Sequence, residues 1–152
     1  MTLEQFYVTG TPVPQGSKTA FRHSKTGAVV MVDANPALKA WRATVDATAR
    51  REWSGRPALD GGVTASLLFY MPRPKGHYGT GRNAGILKPS APTLMTVKPD
   101  VDKLSRAVLD SLSTAGIWTD DCRAWGLAAW KHYADGRPAG VLVTLEWGTL
   151  DD

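Results

Sequence analysis

The chain has 152 residues, 43% of them hydrophobic, with 18 basic against 14 acidic side chains and a net charge of +4. That length suits one domain with a real core, and a single cysteine, Cys122, excludes an internal disulfide and fits a cytoplasmic setting. No run of 18 apolar residues offers a membrane span, and residues 1–8 lack the basic and then apolar form of a signal peptide.

Residues 3–9 read as a strand, with Phe6, Tyr7 and Val8 supplying β-propensity. Gly10, Pro12, Pro14 and Gly16 then make a loop. Residues 19–23 and 28–32 form the arms of a predicted hairpin around Ser24-Lys25-Thr26-Gly27, and Lys18, Arg22 and Lys25 read either as phosphate contacts or as the solvated charges of a surface hairpin. Asn35 as cap and Pro36 at the first helical position open a helix whose buried face is Leu38, Trp41, Val45, Ala49 and Trp53. Residues 62–71 are a largely apolar strand. Residues 72–96 are rich in proline, glycine and cations and show no periodicity, so they are expected to form a long flexible loop. Its position between a core strand and the next helix leaves two readings open, a disordered insertion or a flap that meets a phosphate backbone through Arg73, Lys75, His77, Tyr78 and Lys88.

The next stretch carries the chemistry. Five of the 14 acids lie between residues 97 and 122: Asp100, Asp102, Asp110, Asp120 and Asp121. Val101, Leu104, Val108, Leu112 and Ala115 give a helix with one apolar face, capped by Asp100 and stopped by Gly116. Asp102, Arg106 and Asp110 recur at steps of four on another face, where Arg106 can reach an acid on either side. A turn at Gly116-Ile117-Trp118 is expected to bring Asp120-Asp121 back to the first turn of the helix, gathering Asp100, Asp102 and Asp121 at one point. Three carboxylates held together call for a cation, and Mg²⁺ takes such oxygen ligands. Between Arg73 and Arg106 seven basic residues stand against Asp100 and Asp102 alone, and Lys98 and Lys103 flank the first acid. An acidic point in a basic surround suits metal-assisted cleavage of a phosphodiester.

Residues 123–133 read as a strand with Trp125, Leu127 and Trp130 in the core. Asp135-Gly136 signals a turn, residues 140–147 a closing strand, and the tail from 148 is expected to be loose. The order predicts an α/β (α+β) fold, a mixed sheet with two main helices packed on one face. His23, His77 and His132 show no ligand spacing, and Cys122 is expected to be a small, partly buried neighbour of the acidic pair.

Lys98-Pro99-Asp100, Asp102, Leu104, Arg106, Asp110 and Leu112, followed by Gly116, Trp118 and Asp120-Asp121, resemble the signature of the RusA family of Holliday junction resolvases, often carried by phages and prophages. The resemblance implies a small α/β homodimer in the bacterial cytoplasm that binds four-way DNA junctions. It also implies symmetric cleavage of two opposing strands with Mg²⁺ or Mn²⁺. The three essential aspartates of the family fall on Asp100, Asp102 and Asp121, as metal ligands and catalytic residues, with Asp120 and Asp110 in support. Two positions depart from the pattern: the essential lysine falls on Arg106, and Lys103 stands where asparagine is common. Arginine keeps the charge but does not readily lose a proton, which favours holding the phosphate over acting as a base. Two other readings stay open, a branched-DNA-binding protein that has lost cleavage and a nuclease for flaps or other branched DNA.

Overall fold

The computed structural model describes residues 1–16, 19–22, 24–32 and 36–148. The expectations for Lys18, His23, the Asn35 cap and the tail beyond 148 lie outside the described residues.

Among the described residues, six strands and two long helices follow one another as β1 (Thr2–Thr9), β2 (Thr19–Arg22), β3 (Val29–Val32), α1 (Pro36–Glu52), β4 (Val63–Met71), α2 (Val101–Thr114), β5 (Ala124–Tyr133) and β6 (Gly140–Trp147). β2 and β3 pair as the predicted antiparallel hairpin, Thr19 opposite Val32. The other four make one mixed sheet in the order β1-β6-β4-β5. β6 runs antiparallel to both β1 and β4, whereas β4 and β5 are parallel. Parallel neighbours need a crossover, and α2 supplies it.

β4 lies inside the sheet and buries every second side chain: Val63, Ala65, Leu67, Phe69 and Met71. The alternation follows from the pleat. Both helices seat their apolar stripes in the same core, α1 through Leu38, Trp41, Val45 and Ala49 and α2 through Leu104, Ala107, Val108 and Leu112. The predicted stop of α2 is a Schellman turn. Gly116 has φ +80°, its N–H donates to Ser113 O (3.1 Å), and the Ile117 N–H donates to Leu112 O (3.1 Å). Ile117 and Trp118 then turn inward and are fully buried, and the indole N–H of Trp118 donates to Ser113 Oγ at 2.6 Å.

β5 departs from expectation. Trp125, Leu127 and Trp130 are not core residues; they are 65%, 49% and 50% exposed. The strand is at the edge of the sheet, so Ala129 and Tyr133 carry its share of the core while the large residues stand at or over the open side.

Truncating Leu112, fully buried in the stripe of α2, is expected to cost about 2–5 kcal/mol in Leu112→Ala, read from the midpoint of urea unfolding at unchanged slope.

Candidate active site

The first group of acids sits where α2 begins. Asp100 occupies the N-cap position with extended backbone (φ −69°, ψ 137°), and its C=O accepts from the Leu104 N–H at 3.1 Å. Its side chain makes no cap bond. It lies 3.8 Å from Lys98 Nζ and 3.6 Å from Lys103 Nζ instead. Asp102 and Arg106 follow on the exposed side of the helix. The approach to the helix is fixed from below, because the Lys131 ammonium donates to the carbonyls of Val97 (2.6 Å) and Pro99 (2.9 Å). Beside Asp100 is a hollow of about 470 Å³ with Pro12, Val13, Pro14, Met71 and Pro99 on its walls and Lys98 and Lys103 at its rim.

The second group sits beyond the helix's other end. Asp120 and Asp121 follow the buried Ile117-Trp118 pair and enter a short 3-10 turn, Asp121–Arg123, that leads into β5. Arg123 holds that turn in place: its guanidinium lies 2.9 Å from Asp60 and donates to Thr119 Oγ1 at 3.1 Å. Asp120 Oδ1 accepts from the Cys122 N–H at 2.9 Å, and this bond, with others from the Cys122 side chain and Asp121, holds its carboxyl below the usual range. Asp121 moves the other way. A side-chain hydrogen bond shared with Asp120, partial desolvation and the charges of Asp120 and Asp110 push its carboxyl up. Asp110, Asp120 and Asp121 face a second hollow, of about 310 Å³, with Arg42, Ser113 and Thr114.

The expected gathering of Asp100, Asp102 and Asp121 does not occur within one chain. The crossover topology explains why. α2 must run the length of the parallel pair before the chain can re-enter the sheet, and its 14 residues span about 21 Å at 1.5 Å per residue. Asp100 and Asp102 lie where it starts; Asp121 lies past its end, against Asp110. Among the described residues no three His, Cys, Asp or Glu side chains are grouped to hold one metal ion.

The other sequence candidates divide. Lys75, Lys88, Lys98 and Lys103 are exposed, as phosphate contacts need to be. Arg73 is not. Its side chain is 5% exposed, forms a bidentate pair with Asp135 (2.7 and 2.9 Å), donates to Pro92 O at 2.8 Å and lies over the Tyr133 ring. It anchors the long segment internally, and its hydrogen bond holds the Asp135 carboxyl below its ordinary value. His77 packs edge-on against Tyr133. Cys122 is exposed rather than partly buried, and its hydrogen bond to Asp120 pushes the thiol up, away from reactivity. Gln15 was not singled out by the sequence. Its backbone N–H donates to Lys103 O (3.0 Å) and its side-chain amide to Asp110 Oδ2, so the Pro12-Val13-Pro14 segment is strapped along α2 between the two acidic groups. A lone glutamine in a proline-rich loop gives no periodic signal.

A family model described as endodeoxyribonuclease RusA matches residues 9–146, and the chain therefore belongs to the RusA endodeoxyribonuclease family. Membership carries endonuclease action on Holliday junctions and the binding of branched DNA. No curated protein matches the chain. No helix among the described residues is long and apolar enough to cross a membrane.

A carboxyl-resolved NMR titration is expected to find Asp121 losing its proton above the usual carboxylate range and Asp120 below it. Because the folded value of Asp121 is raised, its contribution favours the fold at low pH and is lost as pH climbs through that value. Asp120→Asn removes the principal cause, and the midpoint of Asp121 is expected to fall.

Proposed function

We propose that this chain is a metal-dependent Holliday junction resolvase that cuts two opposing strands of a four-way junction as a homodimer, with each cutting site completed between two copies. The observation that carries the reading is the placement of the acids. Asp100 and Asp102 stand at one end of α2 and Asp121 at the other, each end supplying part of a ligand set. A dimer that sets one end of α2 against the other end of its mate would assemble the three. It would also hold two equivalent sites across a two-fold axis, as paired cleavage requires.

The donors fit Mg²⁺ or Mn²⁺, since all are carboxylate oxygens. The raised Asp121 fits as well, because a cation would relieve the crowding that Asp120 and Asp110 impose on it. When bound, such an ion lowers the pKa of a coordinated water and offsets the charge that gathers on the phosphate. The chain's own residues do the rest. Asp100, Asp102 and Asp121 are the ligands. Asp120 holds Asp121 in place, and Gln15 and Arg42 bound the position of Asp110 beside it. Arg106, exposed one turn on from Asp102, presents a fixed fork to the scissile phosphate as an electrostatic clamp. Lys75, Lys88, Lys98 and Lys103 follow the sugar–phosphate backbone without reading bases.

The test is cleavage of a synthetic four-way junction with Mg²⁺ or Mn²⁺ titrated in. Asp102→Asn is expected to abolish cutting while junction binding is kept; binding without cutting by the unsubstituted protein at every metal concentration would leave only a junction-binding role. Co-expression of Asp102→Asn with Asp121→Asn discriminates further. If the site spans two copies, the mixed dimer keeps one site with neither substitution and single-strand nicking returns; if each chain holds its own site, both sites stay defective. Arg106→Ala is expected to lower the cleavage rate by about 100-fold or more with binding little changed, read in single-turnover kinetics.

A further inference from the structure

We propose that the trough between α1 and α2 is a further backbone-binding site, in which Arg42 and Lys39 take neighbouring phosphates of the DNA strand as it runs on from the carboxylates. The inference rests on the reading of a strand cut at those carboxylates and adds the path that the strand follows beyond them.

The trough starts where the acids end. It is a hollow of about 230 Å³, walled by Lys39, Arg42, Ala43 and Asp46 of α1 and by Ser111 and Thr114 of α2. Arg42 and Thr114 also line the hollow that Asp110, Asp120 and Asp121 face, so the two spaces meet at one guanidinium. Lys39 and Arg42 are three residues apart and therefore neighbours on the helix surface, about 4.5 Å along the axis at 1.5 Å per residue. Ala43 beside them offers only a methyl group, which leaves the trough open.

The charges are arranged for an anion. Among the described residues neither Lys39 nor Arg42 forms an ion pair, whereas Arg50 and Arg51 of the same helix do. Asp46 is the one carboxylate among the described residues that line the trough, and Arg50 offsets it: its Nε donates to both Asp46 oxygens at 2.9 and 3.1 Å. The Nη2 of Arg50 donates to Thr114 O at 2.7 Å, so the same side chain pins α1 to the end of α2. The hydroxyls of the opposite wall are spent on their own helix, Ser111 on Ala107 O and Thr114 on Asp110 O. An anion in the trough is therefore held by the two cations of α1. Arg42 is partly buried, and a guanidinium withdrawn from water without an acid beside it favours a charged acceptor from outside. Its planar fork matches a phosphate. A lone phosphate would engage one of the two cations, whereas a phosphate chain leaving the acids meets Arg42 first and Lys39 next.

Fluorescence anisotropy of a labelled four-way junction bound by the full chain, in EDTA and over a range of salt, tests this. Arg42→Ala and Lys39→Ala are each expected to weaken binding equally on junctions of different sequence. Each is also expected to lower the slope of log affinity against log salt by about one for every phosphate contact removed. Arg42→Lys should keep most of the slope. Arg51→Ala, on the same helix but beside Glu52 and outside the trough, should leave it unchanged, and circular dichroism shows that the variants are folded. A neutral methylphosphonate moved through the strands around the exchange point then finds the contact. Where it weakens binding by the unsubstituted protein through Arg42, it is expected to cost Arg42→Ala nothing further. A slope that Arg42→Ala and Lys39→Ala both leave unchanged, or a methylphosphonate scan identical for the unsubstituted protein and Arg42→Ala, overturns the proposal. The cutting assay keeps the two readings apart. A lowered slope in a protein that never cuts retains the trough and discards the resolvase. Cutting with an unchanged slope retains the resolvase and discards the trough.

Discussion

The seating of α2 on the sheet governs what the acids can do. Leu104, Val108 and Leu112 are fully buried along one side of the helix, and a helix so held has no freedom to bring its ends together. β4 and β5 run parallel, so the helix between them must travel back along the sheet before β5 can start. Carboxylates placed just before and just after such a helix are kept at a distance by the same packing that stabilises the domain. The hydrophobic contacts of the core thus decide the geometry of an acidic site on the surface.

The two ends also differ electrostatically. Asp100 has two lysines within 4 Å, although pairs this exposed add little to stability. They set positive charge on either side of the Asp100 carboxylate. At the far end Asp121 faces other carboxylates, and its proton is held more tightly in consequence. Only Arg42 brings a cation to that hollow's lining. One end therefore has its counter-charge in place, whereas at the other the carboxylates crowd one another.

Much of this was legible in the residues. Periodicity located both helices and most of their buried faces, with Leu38, Trp41, Val45 and Ala49 in α1 and Leu104, Val108 and Leu112 in α2, while Val101 and Ala115 at the ends of the α2 stripe are only partly buried. Gly116 marked a stop that the Schellman turn bears out. What escaped was everything set by where an element lies in the sheet. Apolar runs look alike in central and edge strands, so Trp125, Leu127 and Trp130 read as core until strand order was known. Parallel pairing of β4 with β5 is invisible locally, and with it the reason that Asp121 lies far from Asp100. Arg73 looked like one more cation of a DNA-facing loop because its partner, Asp135, is 62 positions away. Gln15 reached α2 only through the folded path of its loop.

That Arg73 cluster has a consequence for the long segment between β4 and α2. The guanidinium holds Asp135 on one side and the carbonyl of Pro92 on the other, closing residues 73–92 into a ring at its base. Inside the ring the chain closes again, with Gly79 N–H to Ile86 O and Lys88 N–H to His77 O, and its tip from residue 80 to 90 is exposed throughout. A tip insulated by two closures can lengthen, shorten or change composition while the feet stay put, since the entropic toll of loop length grows only logarithmically. The fold thereby carries an interchangeable attachment next to its acids, free to diverge at a pace the domain beneath it never feels.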